Sequence, residues 1–435
     1  MLQKFNHHIN EKFPFLKEKK ILIACSGGLD SVVLTRLLKD LQFNISLAHC
    51  NFSLRGVESD GDEEFVEKLA DKLSVPIFTK TFDTKTYANT HKISTQMAAR
   101  DLRYEWFDEL INNFNFDYLL TAHHLDDDLE TFLINLSRGT GLRGLTGIPE
   151  NNEKIIRPLL NFTRQDLLKH AQKETINWRE DSSNSKVEYL RNKLRLEVIP
   201  KLKETDERLL KNFQQTQKHL KESLLLVEDY MVLIQNLVFT ESANGLKIDI
   251  YKLQELPNTK ALLYELLFPF GFKAWEDILD LLNAQTGKQI FSNTHRLLKD
   301  RSDFLLTKIS IENSSKSIFV SEELKPIEIP FQLQFEKVSE VKKLFKNIVY
   351  IDFEKLNFPL EIRQWKEGDY FYPFGMKGKK KLSKFFKDEK LSLVAKEKVR
   401  VLCTHNVIVW VMGMRLDDRF KVTKNTKKIV KIAYN

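Results

Sequence analysis

Ile21-Leu22-Ile23-Ala24-Cys25-Ser26-Gly27-Gly28-Leu29-Asp30-Ser31-Val32-Val33-Leu34 is the stretch whose reading decides the fold. An apolar, β-rich run leads into two glycines, and apolar positions then recur at helical spacing through Leu37, Leu38 and Leu41. This is strand, tight loop, helix. Such a loop aims free backbone N–H groups and the positive end of a helix dipole at one point, a seat for phosphate. Ser26 and Ser31 add hydroxyl donors, and Asp30 can hold a cation that shields phosphates. Two glycines after a strand are ordinary turn chemistry, whereas Ser26-Gly27-Gly28-Leu29-Asp30-Ser31 as a unit is much harder to obtain by chance. The chain contains neither Gly-x-x-x-x-Gly-Lys-Ser/Thr nor Gly-x-Gly-x-x-Gly, so it is neither a Walker nor a dinucleotide-fingerprint protein.

Outward from the loop, 45–50 reads as a second strand, followed by the turn Asn51-Phe52-Ser53-Leu54-Arg55-Gly56. The next helix has Phe65, Val66, Leu69 and Leu73 on its apolar face and acids at its start, where the dipole favours them. A strand at 75–78, a helix at 95–111 and a strand at 118–121 continue the alternation. Strands alternating with helices predict a doubly wound parallel sheet with ligands at the carboxyl ends of its strands, the edge where His49, Arg55 and the Ser26 loop fall. Arg100 and Arg103, one helical turn apart, could share a phosphate; the same spacing describes a solvated basic face.

Thr121-Ala122-His123-His124-Leu125-Asp126-Asp127-Asp128-Leu129-Glu130-Thr131 enters a helix whose core stripe is Leu125, Leu129, Phe132, Leu133 and Leu136. Asp126 and Glu130 are four apart and Asp127 and Glu130 three apart, so carboxylates gather near the first turn. Such a group can hold Mg²⁺, bind an amine or act as a general base. Helix capping explains one or two of these acids but not three beside two histidines. Adjacent histidines point apart and no His-Glu-x-x-His occurs, which argues against zinc. Arg138-Gly139 opens a glycine-rich turn, and Arg191 and Arg195 lie one turn apart, able to face a nucleotide or RNA backbone together.

Three cysteines, none in a Cys-x-x-Cys pair, argue against a disulfide framework, structural zinc and an iron–sulfur cluster. Cys25 is read as a small buried strand residue. The N-terminus lacks an unbroken apolar region and no run reaches the roughly 18 residues of a membrane helix, so a cytoplasmic protein without a membrane partner is expected. The net charge of +8 is uneven: residues 345–435 carry +11 and the remainder −3. This distribution suggests a basic module for a polyanion attached to a nearly neutral remainder. Within it, Lys377, Lys379, Lys380 and Lys381 interleave with aromatics and glycines, a composition that suits RNA. Between these regions, about 202–238 shows one long amphipathic helix, 240–310 looks mainly helical with a β-like end at 303–308, and 311–345 reads as a linker with a strand or two.

The Ser26–Ser31 loop resembles the pyrophosphate loop (PP-loop) of N-type ATP pyrophosphatases. Taken with His49-Cys50-Asn51-Phe52-Ser53-Leu54-Arg55-Gly56, Ala98-Ala99-Arg100, Arg103-Tyr104, His123-His124-Leu125-Asp126-Asp127, Glu130-Thr131, Arg138-Gly139, Asp181-Ser182-Ser183-Asn184 and Arg191-Asn192 with Arg195, in that order, the chain resembles the tRNA(Ile)-lysidine synthase family. Asp128 is a departure, where many relatives carry glutamine. The resemblance implies a PP-loop adenylation domain (1–200), a helical connector and tRNA-positioning domain (201–310), a linker (311–345) and a basic, β-rich α+β tRNA-binding domain (346–435). It implies ATP as substrate with Mg²⁺, and two steps on an isoleucine tRNA with a CAU anticodon. The wobble cytidine is adenylated at its C2 oxygen with release of pyrophosphate, and the amine of free L-lysine then displaces AMP.

On this resemblance Ser26, Gly27, Gly28, Leu29, Asp30 and Ser31 bind ATP, and Asp30, Asp126, Asp127 and Glu130 are the catalytic acids, with Asp30 and Asp127 able to place the metal. His49, Arg55, Arg100, Arg103, His123, His124, Arg138, Asp181, Asn184, Arg191, Asn192, Arg195 and Lys377, Lys379, Lys380 and Lys381 are the substrate and RNA candidates. Which carboxylate serves as base, metal ligand or amine ligand stays open, as does a homodimer. The competing readings are another PP-loop enzyme, such as a tRNA thiolase or an NAD synthetase-like amidase, and a tRNA-binding protein without catalysis.

Overall fold

The computed structural model describes residues 1–180, 190–309, 317–327, 331–342, 345, 347–391 and 393–434. The chain divides into two compact units, residues 1–228 and 229–435.

In the first unit, α1 (Leu2–Lys12) precedes β1 (Lys20–Ala24), α2 (Leu29–Asp40), β2 (Asn44–Asn51), α3 (Val57–Leu73) and β3 (Ile77–Thr81). Then come α4 (Thr84–His91), α5 (Thr95–Phe114), β4 (Tyr118–Leu120), α6 (Leu125–Ser137), α7 (Leu142–Leu145), β5 (Asn151–Asn152), β6 (Ile155–Ile156) and α8 (Arg164–Lys173). The sheet order is β3-β2-β1-β4-β6-β5, parallel except for the terminal β5–β6 hairpin. Strand alternation sends Ile21 and Ile23 into one core with Val33, Leu37, Val66 and Leu167, and Leu22 into another with Trp106, Phe107 and Leu110. Helices therefore cover both faces, as expected of a doubly wound sheet. The chain steps outward from β1 to β2 and β3 and then crosses back to lay β4 on the other side of β1, and that reversal opens a crevice at the carboxyl ends of these strands.

Past α8 the chain forms α9 (Leu190–Lys193), a π-type turn at Leu194–Val198, α10 (Ile199–Thr205) and α11 (Leu209–Val238). The single long helix expected from about 202 is interrupted at Asp206, whose extended backbone ends α10. Ile199 and Phe213 pack on Leu125 and Leu129, which anchors this returning segment to α6.

In the second unit, residues 239–308 contain three α-helices, as the expectation of a helical region required. They also contain five strands in an antiparallel sheet, where only the one at 303–308 was foreseen. Segments such as Phe239–Ser242 and Gln289–Phe291 are too short and polar for a two-residue period to stand out. Farther on, Ile318–Val320, Leu360–Gln364, Arg400–Thr404, Val407–Val411 and Arg415–Leu416 form one antiparallel sheet. Leu333–Val338, Ile429–Tyr434 and Ile348–Asp352 form another, and the two share a core around Trp410, Ile351 and Val430. The described strands of the 311–345 segment are thus paired into C-terminal sheets.

Asp128 faces away from the crevice. Its Oδ1 accepts the Ile148 N–H at 2.6 Å, and a Cβ on Gly147, where φ is +73°, would lie 2.1 Å from the same oxygen. Burial raises its pKa from 3.8 to about 6, against the opposing Ile148 hydrogen bond. A folded-state pKa above the unfolded one means that this group's stabilisation is complete below 3.8 and is lost as pH rises through about 6. We expect Asp128→Asn to be more stable than the parent at pH 7.5, by at most about 3 kcal/mol, with the gap closing towards pH 4, in urea unfolding at both pH values. Leu22→Ala should cost about 2–5 kcal/mol in the same assay, and Leu136→Ala, exposed at the end of α6 and not in the core as its spacing predicts, less than about 0.5 kcal/mol.

Candidate active site

Gly27 adopts φ +84°, and a Cβ there would come within 3.2 Å of Val66, so the close packing of the loop on α3 requires glycine. Ser31 Oγ accepts the Ser26 N–H at 3.2 Å and donates to the Gly28 carbonyl at 3.0 Å. No side chain caps α2 at Gly28, which leaves its first N–H groups for a ligand. His49 lies buried behind the loop, its Nδ1 2.9 Å from the Cys25 carbonyl, and so props the loop instead of facing the crevice. Burial raises the Cys25 thiol and pushes Cys50 up to about 12, which leaves both poor nucleophiles.

A cleft of about 700 Å³ opens above the loop. Ser26, Gly28, Asp30 and Ser31 line it together with His123, Asp127, Arg164, Arg179, Arg191 and Arg195, and Phe52, Tyr104 and Phe107 add aromatic surface. The Arg103 guanidinium lies 5.2 Å from the Phe52 ring, and exposed Arg100 lies 4.8 Å from the Tyr104 ring.

At the start of α6, His124 Nδ1 accepts the Asp127 N–H at 3.3 Å while Asp127 Oδ2 accepts the His124 N–H at 3.1 Å. This reciprocal cap explains why a histidine precedes the acids. The other ring nitrogen, Nε2, lies 3.5 Å from Asp30 Oδ2, so one imidazole joins the loop to α6. Burial opposes charge on His124, but Asp127, Asp30 and Asp126 outweigh it and raise its pKa. Burial likewise opposes charge on Asp127, but His124, His123 and Arg191 hold it below the usual carboxylate range. His123 is driven down to about 4 by burial, against the pull of Asp127, and shares a 2.9 Å hydrogen bond with Thr121.

Asp127 and Glu130 lie under two arginines. Glu130, 1% exposed, accepts from Arg191 Nε at 2.7 Å and Arg195 Nε at 2.6 Å. Arg195 Nη2 also donates to Glu130 at 2.9 Å and to Asp127 at 3.0 Å, and Arg191 Nη2 reaches Asp127 at 3.3 Å. Asp126 is turned elsewhere: it accepts the Arg164 N–H at 2.8 Å and pairs with Lys203. Its place is at the junction of α6, α8 and α10.

Arg55 pairs with Asp62 at 2.8 Å, and Arg179 binds the same carboxylate while its N–H donates to the Gly27 carbonyl at 3.0 Å. Arg138 is exposed at the end of α6 and Asn192 is half-buried on α9; neither lines the cleft. Asp181 and Asn184 lie outside the described residues. Arg164 and Arg179 line the cleft without having been singled out. Arg179 lies two residues before the Asp181-Ser182-Ser183-Asn184 motif and outside it, and nothing local marks Arg164.

In the second unit, Lys377, Lys379 and Lys381 are exposed around a short hairpin, Tyr370–Phe371 with Lys380–Lys381. Lys379 Nζ lies 5.1 Å from the Tyr370 ring, and Lys380 is tied to Asp388 at 2.7 Å. Phe374 and Met376 are also exposed there. Fully buried Asp417 accepts the Tyr372 N–H at 2.9 Å and pairs with Arg419, fastening this turn to the sheet.

Three family models match this chain: a PP-loop domain over residues 1–202, a TilS substrate binding domain over 241–309 and a TilS substrate C-terminal domain over 360–433. A tRNA(Ile)-lysidine synthase of Parabacteroides distasonis is 39% identical over 98% of both chains. One of Bacteroides thetaiotaomicron is 37% identical over 98% of both, and one of Porphyromonas gingivalis 35% identical over 93% of this chain and 92% of the relative. Matched across nearly its whole length, the chain belongs to the tRNA(Ile)-lysidine synthase family.

Proposed function

We propose that the protein joins free L-lysine to C2 of the wobble cytidine in the CAU anticodon of isoleucine tRNA, through an adenylated cytidine and at the expense of ATP, in the cytoplasm. The observation that carries this reading is one cleft holding both halves of the chemistry. The phosphate-binding loop and the Asp127 carboxylate for an amine both line it, Glu130 is held by the lining residues Arg191 and Arg195, and His124 links Asp30 to Asp127.

The N–H groups at the start of α2, with Ser26 and Ser31, hold the polyphosphate, and the aromatic wall of Phe52, Tyr104 and Phe107 suits a purine ring. Developing negative charge on the leaving pyrophosphate meets fixed donors and the helix dipole, which lowers the barrier to adenylation. Asp30 fits a Mg²⁺ carried on the phosphates: its Oδ1 is buried without a partner among the described residues, and Mg²⁺ is commonly held by one or two carboxylates plus phosphate oxygens. Such an ion would neutralise charge on the leaving group. Among the described residues no three His, Cys, Asp or Glu side chains could hold a metal by themselves, and Asp127 is engaged by arginines. We therefore assign the metal to Asp30 and the ammonium group of lysine to Asp127 and Glu130, either of which can accept its proton before attack. Asp126 serves to position α6. The exposed lysines around Tyr370 follow the tRNA backbone, and the neighbouring rings are available for unpaired bases.

Labelled lysine, ATP and a CAU-anticodon isoleucine tRNA transcript should give labelled RNA together with AMP and pyrophosphate; ammonia or sulfur incorporated in place of lysine would reject the proposal. Asp127→Ala should reduce lysine incorporation at least about 100-fold. The Lys379→Ala, Lys381→Ala double variant should raise KM for tRNA with kcat largely kept, and should flatten the salt dependence of KM.

A further inference from the structure

With the arginines in place, the acids assigned to the amine have no free face. Both oxygens of Glu130 and Oδ1 of Asp127 accept from Arg191 or Arg195, and Oδ2 of Asp127 accepts the His124 N–H. An incoming ammonium ion would meet two guanidinium groups on oxygens that each already accept at least one N–H. Arginines and ammonium therefore compete for the same carboxylates.

The acids are fixed and the arginines are not equally so. The side chain of Glu130 is 2% exposed and that of Asp127 13%, against 29% for Arg195 and 43% for Arg191. Both arginines line the same cleft as Ser26, Gly28 and Asp30, where the phosphates would lie. A planar guanidinium pairs with phosphate as readily as with carboxylate, so a short rotation about long side chains exchanges one partner for the other. The backbone beneath them passes from α9 into a π-type turn at Leu194–Val198, a geometry that departs from the regular helical ladder and recurs at functional sites.

We propose that Arg191 and Arg195 plug the amine site of the resting protein and are drawn off it by the phosphates of ATP, so that the amino acid binds well only after the nucleotide. Two buried acids are not left bare, because the ammonium replaces the guanidinium charge as it departs. Nucleotide and amino acid each favour the unplugged state, and each must tighten the other by the same factor. The proposal rests on the assignment of Asp127 and Glu130 to the amine and adds an order of binding that this assignment alone does not require.

Calorimetry of L-lysine with the full chain tests it, with and without a non-hydrolysable ATP analogue and Mg²⁺. The parent should bind lysine roughly tenfold or more tightly when the analogue is present. Arg195→Ala should bind lysine more tightly than the parent in the absence of nucleotide, and bind the analogue more weakly; a merely structural role would weaken both. Arg195→Gln, which keeps a polar side chain of similar length, should move in the same directions. Equal lysine affinity with and without the analogue in the parent would overturn the plug while leaving the proposed reaction intact. Absence of lysine binding in either state would overturn the assignment of the amine site together with the plug.

Discussion

Two carboxylates buried at the start of a helix can remain ionised only if positive charge is brought to them. Asp127 and Glu130 meet that constraint through Arg191 and Arg195, which come from beyond α8, while His124 caps the helix that carries the acids. The packing of Ile199 and Phe213 on Leu125 and Leu129 brings the arginines there, so the core of α6 and the charge balance of the cleft are aspects of one arrangement. Removing an arginine alone would strand an acid, and removing both acids would crowd two cations.

The loop before α2 obeys a different constraint. Its backbone passes close to α3 with Gly27 at φ +84°, a conformation that favours glycine, and the first N–H groups of α2 stay unspent because no side chain caps that helix. Structure is withheld there so that a ligand can complete it. Asp62 binds Arg55 and Arg179, and the Arg179 backbone returns to the Gly27 carbonyl, so even the outer side of the loop is held by long-range pairing.

What the sequence made legible follows from how local each signal is. The strand, the glycines and the helical period lie within fourteen consecutive residues, and the alternating sheet follows from repeats of the same pattern. The cluster from Asp126 to Glu130 was visible because acids in a first turn have a known spacing. Its internal division was not, since Asp126 turns to Lys203 and Arg164 while Asp127 and Glu130 turn to arginines more than sixty positions away. His49 and Arg55 were placed correctly at the edge of the sheet, but which way each side chain faces depends on Cys25 and Asp62, contacts that no periodicity encodes. The other four strands of 239–308 escaped because segments as short as Phe239–Ser242 and Gln289–Phe291 hold too few residues for a two-residue period to stand out.

His124 has a consequence for what can change in this protein over time. A single ring accepts the cap hydrogen bond of α6 through Nδ1 and brings its other nitrogen, Nε2, to within 3.5 Å of Asp30 across the cleft. Asparagine could accept the cap but is too short to reach Asp30 as well, and lysine could reach Asp30 but could not accept the cap. No other side chain combines these capacities, so drift at this position is closed in every direction at once, whereas the lysines of the C-terminal turn can be exchanged or moved one at a time.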